Sequence, residues 1–315
     1  MDQITEPIRA ERLVPTAIGA NEFERLSRLA PHAAGFAFFG TAIRVRFSDA
    51  AAAGALSRRY AAFASNDAPV LDLVAVNEGA RSRFALLKGP AYVWEGPLHS
   101  RGLEFLADAI AGDAYFTALS PYQSFHSAAV AVDGVAVAIT AASEGGKTTT
   151  ALACARRDMP LYSDEWCVLD GNAVQPFPRA MNVRPGSLAL LASEMPEHPL
   201  SRRAAAQGGR KWRDVAFTEA FGHDIVVPKP APLAAIFFIT ARGARAHAVP
   251  LDAGSAVSLL LRAPFRSADK TRRLSHAIAL LSTARPYALT LGTPDQTACA
   301  IRDVIRSSAG MERCA

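Results

Sequence analysis

The sequence predicts an α/β fold with a mixed sheet, preceded by an N-terminal α+β module. Three observations carry this expectation. An apolar run, Gly134 to Thr140, leads into Ala141-Ala142-Ser143-Glu144-Gly145-Gly146-Lys147-Thr148-Thr149-Thr150, and a helix-like run follows from Thr148 to Arg157. Strand, glycine-containing turn and helix make a β–loop–α unit. Next, Ala128–Val132 and Val135–Ile139 flank Asp133-Gly134, a two-residue link whose residues both favour positive φ. The strand entering the loop therefore pairs antiparallel with the one before it, which excludes a sheet built wholly of parallel βαβ units. Finally, short strand-like and helix-like runs alternate before Pro121 without any comparable loop.

In the N-terminal part, residues 1 to about 35 read as a lead-in plus a short helix, Asn21 to Ala30. Phe36 to Ser48 alternates like one half-buried strand. Ser48 or Asp49 would cap a helix running through Ala64. Strands follow at Pro69–Val76, Phe84–Leu87 and Ala91–Trp94, then an amphipathic helix at Gly102–Gly112. The boundary is placed at residue 120, giving domains 1–120 and 121–315.

After the loop helix, Asp158-Met159-Pro160 breaks the chain. Leu161 to Leu169 reads as a strand kinked at Asp164-Glu165, and Asn182 to Leu191 as a strand followed by a helix start. Ser193 to Arg213 is polar and arginine-rich and reads as a surface loop; Val226 to Pro230 reads as extended. Leu233 to Thr240 is a buried strand, Gly254–Leu261 and Ala268–Ala284 are helices, Tyr287–Leu291 is a last strand, and Pro294–Arg306 is a closing helix.

At 315 residues, half apolar and one-fifth charged, the chain suits one large or two ordinary globular domains. Net charge +5 and pI near 9.2 favour phosphates or acidic peptides, but the charge is too diffuse to argue for nucleic acid. Cys154, Cys167, Cys299 and Cys314 have neither metal-ligand nor disulfide-framework spacing. No apolar leader and no membrane-length run is seen, so the expectation is a cytoplasmic chain without membrane association.

The loop carries the chemistry. Gly146-Lys147-Thr148 between a strand and a helix fits the phosphate-binding loop, or Walker A motif. In it, backbone amides from Ser143 to Thr149 would face phosphate oxygens, and the helix N-terminus would add its dipole. Lys147 would reach the β- and γ-phosphates, and the Thr148 hydroxyl would bind Mg²⁺. Two positions depart from the pattern. Ala141 stands where the first glycine falls, which requires a backbone without positive φ there. Glu144 places a negative charge in an anion-binding loop, so its side chain is expected to point outward.

The acids Asp164 and Glu165 lie one helix and one turn beyond the loop. If the strand carrying them returns beside the strand that enters the loop, one can accept an acceptor hydroxyl's proton and the other can hold Mg²⁺. His126 is read as opening the hairpin strand, close enough to tune the acids.

His126, the hairpin, the loop and Asp164-Glu165 together resemble the catalytic domain of the HPr kinase/phosphorylase family. They resemble more closely its HprK-related branch, some of whose members phosphorylate ribosomally made peptides, including lasso peptide precursors. The resemblance covers roughly residues 120 to 305. Ser143, Gly146, Lys147 and Thr148 match its loop in register; Ala141, Glu144 and Glu165 depart from it. It implies a mixed-sheet P-loop kinase domain of HPr kinase/PEP carboxykinase type, using ATP and Mg²⁺ on a Ser/Thr hydroxyl of a peptide or protein. By that resemblance Asp164, His126, Lys147 and Glu165 are catalytic, with Glu165 and Thr148 at the metal. Arg179 or Arg184 would replace the family's arginine signature as a phosphate or substrate clamp. The basic stretch Arg202 to Arg213, with Arg210, is the candidate for substrate capture. Homo-oligomers are also implied, since relatives include ring-shaped hexamers. Two alternatives stand: a kinase of small-molecule hydroxyls, and a decayed nucleotide-binding scaffold without catalysis.

Overall fold

In the computed structural model, the described residues are 16–79, 81–87, 91–97, 103–116, 121–142, 144–183, 185–194, 212–215, 229–263, 265–266 and 273–312. They form a mixed α/β fold in two compact units, residues 1–119 and 120–315.

The first unit is a six-stranded sheet with helices. Its strands are β1 (Thr16–Ile18), β2 (His32–Phe38), β3 (Thr41–Phe47), β4 (Leu71–Glu78), β5 (Arg81–Leu87) and β6 (Ala91–Pro97), in the order β1-β6-β5-β4-β3-β2. The run from Phe36 to Ser48 is not one strand. It is a hairpin, β2–β3, turned by Phe39 and Gly40 at φ 48° and 83°. Phe-Gly is not a usual turn pair, so alternation passed through it unbroken. Helix α1 (Ala20–Arg28) packs Phe23 and Leu26 on Val74, Val76 and Ala85. Helix α2 (Ala50–Arg59) is capped by Asp49, which accepts from Ala51 N at 2.9 Å. It ends at Arg59 rather than Ala64; a 3₁₀ turn at Ala61–Phe63 follows. α2 is the crossover between the parallel strands β3 and β4. α3 (Leu103–Ala114) meets α2 through the buried ion pair of Arg59 with Asp108, at 3.1 Å, and Tyr60 donates to the same carboxylate.

The second unit holds the loop. Strands β7 (Gln123–His126), β8 (Ala128–Val132) and β9 (Val135–Thr140) precede helix α4 (Lys147–Ala155). Asp133 and Gly134 turn β8 into β9 at φ 47° and 88°, the paired positive values that the Asp-Gly sequence predicts. Then come β10 (Leu161–Ser163), β11 (Trp166–Asp170), β12 (Ala173–Gln175), β13 (Met181–Val183), α5 (Pro185–Glu194) and β14 (Trp212–Val215). Of the stretch expected as a surface loop, residues 195–211 lie outside the described residues, while its ends belong to α5 and β14. The unit closes with β15 (Ala231–Arg242), β16 (His247–Pro250), α6 (Ala253–Arg262), β17 (Phe265–Arg266), α7 (Arg273–Thr283), β18 (Arg285–Leu291) and α8 (Pro294–Glu312).

β15 is the organising strand. Ala231 and Pro232 pair antiparallel with β12. From Leu233 onward it runs parallel between β9 and β18. The result is one run β10-β8-β9-β15-β18-β16 and a second, β15-β12-β11-β7-β17, sharing one strand. Both faces of the centre are covered, which is why β9 and β15 read as continuous apolar runs. On one face Val137, Ile139, Phe237 and Leu289 pack with Leu152 of α4 and Ile301 of α8. Ala136, Ala138, Ile236 and Phe238 face Leu260 and Leu280 of α6 and α7. Among the described residues no helix is long and apolar enough to cross a membrane.

Candidate active site

The loop leaves β9 at Thr140 and enters α4 at Lys147. Gly146, the N-cap, has φ 105°, a left-handed value that glycine alone adopts freely. Ala141 is not among the residues with positive φ, so alanine sits there without strain. The left-handed position falls instead on Glu144, φ 65°, whose residue is exposed. Gly145 is required by its neighbour, because a Cβ there would lie 2.6 Å from the Ala141 methyl. The turn is closed by Gly145 N donating to Ala142 O at 3.0 Å. Ser143 lies outside the described residues.

The first amides of α4 have no helical acceptor, which makes its start an anion site in chemical type. Lys147 is only 9% exposed, and its Nζ donates to Ala141 O at 3.1 Å. Burial lowers the Lys147 pKa, against the opposing pull of Glu165 and Asp164. Thr148 is half-buried on the same turn. The Thr149 hydroxyl is engaged elsewhere, donating to Ser187 Oγ on α5 at 2.7 Å. Thr149 can therefore serve a ligand through its backbone amide.

Asp164 and Glu165 form the bend between β10 and β11. Ser163 Oγ pins that bend by accepting from Glu165 N at 3.3 Å and Trp166 N at 3.0 Å. Glu165 O accepts from Ser127 N at 3.1 Å. The route differs from the expected one. β10 pairs with β8, not with the loop strand β9, so the acids arrive one strand further out. His126 likewise does not open the hairpin. It ends β7, a separate strand paired to β11, opposite Trp166, with the two rings edge-on at 5.8 Å and 70°. The apolar sequence from Ala128 onward gives no sign that Ser127 is where the chain passes from one strand run to the other.

The two carboxylates differ in kind. Asp164 is 5% exposed, and its Oδ1 has no hydrogen-bond partner. Burial pushes its pKa up to about 7; Glu165 adds to this, and Arg179 and Lys147 oppose it. Glu165 has a side chain 32% exposed and is ion-paired to Arg179 at 3.2 Å. Arg179 is itself buried, so it stands as the partner of the acids rather than as an open clamp. Arg184 and Arg210 lie outside the described residues.

Among the described residues no group of three or more His, Cys, Asp or Glu could hold a metal alone. Mg²⁺ needs less than that: it keeps several waters and takes one or two carboxylates beside phosphate oxygens. The orphaned Asp164 Oδ1 and the Thr148 hydroxyl are hard oxygen donors of the right type. Glu165, the acid expected at the metal, is ion-paired with Arg179 at 3.2 Å and keeps its side chain 32% exposed.

Two residues at the site are not singled out by the sequence pattern. Ser163 carries a local signal, a hydroxyl two residues before an acid where it can close a side-chain turn. Arg242 carries almost none. It ends β15, and its Nη2 lies 3.2 Å from where a Cβ on Gly146 would stand. Only knowing that β15 runs parallel to β9 would bring it to the loop. A scan against protein-family models finds no match to this chain, and a search of curated proteins finds none either.

Proposed function

We propose that this chain is an ATP-dependent kinase of HPr kinase-like, P-loop type, transferring the γ-phosphoryl group to a Ser/Thr hydroxyl of a peptide or protein. One observation carries the reading: a buried ammonium, Lys147, and a buried carboxylate with a free oxygen, Asp164, interact electrostatically across the start of α4. The Thr148 hydroxyl would help hold Mg²⁺ beside the phosphates, where the ion would neutralise their charge.

The residues divide the work by environment. The α4 amides and Lys147 hold the phosphates, Lys147 exchanging Ala141 O for a phosphate oxygen. Asp164, with its pKa near 7, is half-ionised near neutral pH and so suited to accept the acceptor hydroxyl's proton. As that proton moves, the acceptor oxygen bonds the γ-phosphorus and ADP departs. Glu165 and Arg179 fix the bend that carries Asp164, and His126 supports it through Trp166.

The test is ATP turnover and phosphotransfer with a panel of Ser/Thr peptides. Lys147→Ala and Asp164→Asn should each lower phosphotransfer by ~10³-fold or more, the scale at which electrostatic and proton-transfer groups act. Activity surviving both substitutions rules out this mechanism. Saturating Mg-ATP should also raise the melting temperature of the wild type. No shift together with no turnover would favour the non-catalytic scaffold.

A further inference from the structure

We propose that Arg242 and Leu291 form the wall that receives the nucleoside end of the nucleotide, with the Arg242 guanidinium on its α-phosphate and base. This rests on the kinase reading above. It comes from strand order. The loop leaves β9, which lies between β8 on one side and β15, then β18, on the other. The acids follow β10 and are tied to Ser127 at the start of β8. The reacting end of a bound polyphosphate, marked by Lys147 and the unpartnered buried oxygen of Asp164, is thus on the β8 side. The remainder of the molecule must leave toward β15 and β18.

On that side two side chains meet the loop. β15 runs on for four residues past Phe238, the partner of Thr140 at the end of β9, and so carries Arg242 alongside the loop. A Cβ on Gly146 would lie 3.0 Å from Leu291 Cδ1 and 3.2 Å from Arg242 Nη2. The segment is held firmly: Gly243 N donates to Leu291 O at 2.8 Å, and a Cβ on Gly292 would stand 2.5 Å from Ala246 N. Arg242 is exposed and has no ion-pair partner among the described residues. A planar, always-charged guanidinium beside an apolar side chain suits a phosphate and the face of a base together.

The experiment is calorimetric titration of the full chain with Mg-ATP, Mg-ADP and Mg-pyrophosphate. Pyrophosphate occupies only the Lys147 end. Arg242→Ala should weaken ATP and ADP by roughly tenfold, the scale of one charged hydrogen bond, and leave pyrophosphate within about twofold. Arg242→Lys should fall between, because it keeps the charge and loses the plane. The KM for ATP should rise by the same factor as the binding constant. Equal weakening of pyrophosphate and ADP would place Arg242 at the reacting end and overturn the assignment, as would no weakening of either. If the wild type binds neither ATP nor pyrophosphate, the kinase reading itself fails, a result distinct from those two.

Discussion

The two units bury charge in opposite ways. In the first, Asp108 is met by Arg59 and Tyr60, and the buried Asp72 takes both Arg44 and Arg46 on its Oδ2. These carboxylates are held by cations chosen for them, and they tie strand to strand or helix to helix. In the second unit, Asp164 is equally buried, yet among the described residues no cation is ion-paired with it, and burial pushes its pKa up to about 7 against the pull of Arg179 and Lys147. Lys147 donates to a backbone carbonyl rather than to the acids. A matched buried charge holds structure together; an unmatched one stores an electrostatic demand that a ligand can meet.

Substitutions test this contrast, beginning with the largest effect. Asp108→Ala leaves Arg59 buried without its partner and should destabilise the first unit by about 3–5 kcal/mol. Denaturant unfolding would read this, and a loss under ~1 kcal/mol would show that the pair is dispensable.

Asp164→Asn should do the reverse to stability while removing activity. The folded pKa of Asp164 is raised, so its stabilising contribution is complete below the ordinary aspartate range and is lost as pH rises through about 7. The variant escapes that loss. Its melting temperature should exceed the wild type's by ~2–4 °C at pH 8, corresponding to about 1 kcal/mol, with the advantage vanishing by pH 4. The same titration sets the activity profile. In the proposed mechanism the carboxylate form is the base, so kcat/KM should climb as pH rises through about 7. A flat profile from pH 5.5 to 8 would remove Asp164 from the base role.

The smallest effect concerns the loop. Glu144→Gly relieves a left-handed non-glycine residue and should stabilise by ~1 kcal/mol or less, measured by thermal unfolding. If the loop holds phosphate as proposed, the change also removes a negative charge there, and affinity for Mg-ATP should rise. Weaker binding instead would mean that Glu144 supports the ligand.

What could be read in the sequence was what local chemistry determines. Asp133-Gly134 specified a tight hairpin because both residues accept positive φ, and Gly146-Lys147-Thr148 specified a strand-to-helix turn for the same kind of reason. The kink at Asp164-Glu165 was legible because two adjacent acids interrupt an apolar run. What was not legible was pairing. Whether β10 lies against β8 or β9 is decided by packing under α4, and both neighbours are equally apolar. The sequence places His126 on the hairpin strand because Ser127 looks like any strand residue; the Ser127 hydroxyl in fact bonds Ala128 O and Ile139 O at the point where the runs part. Arg242 carries no local signal because its proximity to Gly146 arises from the β9–β15 register, a contact between residues about a hundred positions apart.

That long separation has a consequence for synthesis. While the ribosome has yet to release residues 231–291, β9 has no β15 beside it and Gly146 has neither Arg242 nor Leu291 against it. The nascent loop is then a short hairpin with an unsupported helix. Closure of such distant parallel pairs is slow, so the loop should gain its final neighbours late, after β18 has emerged.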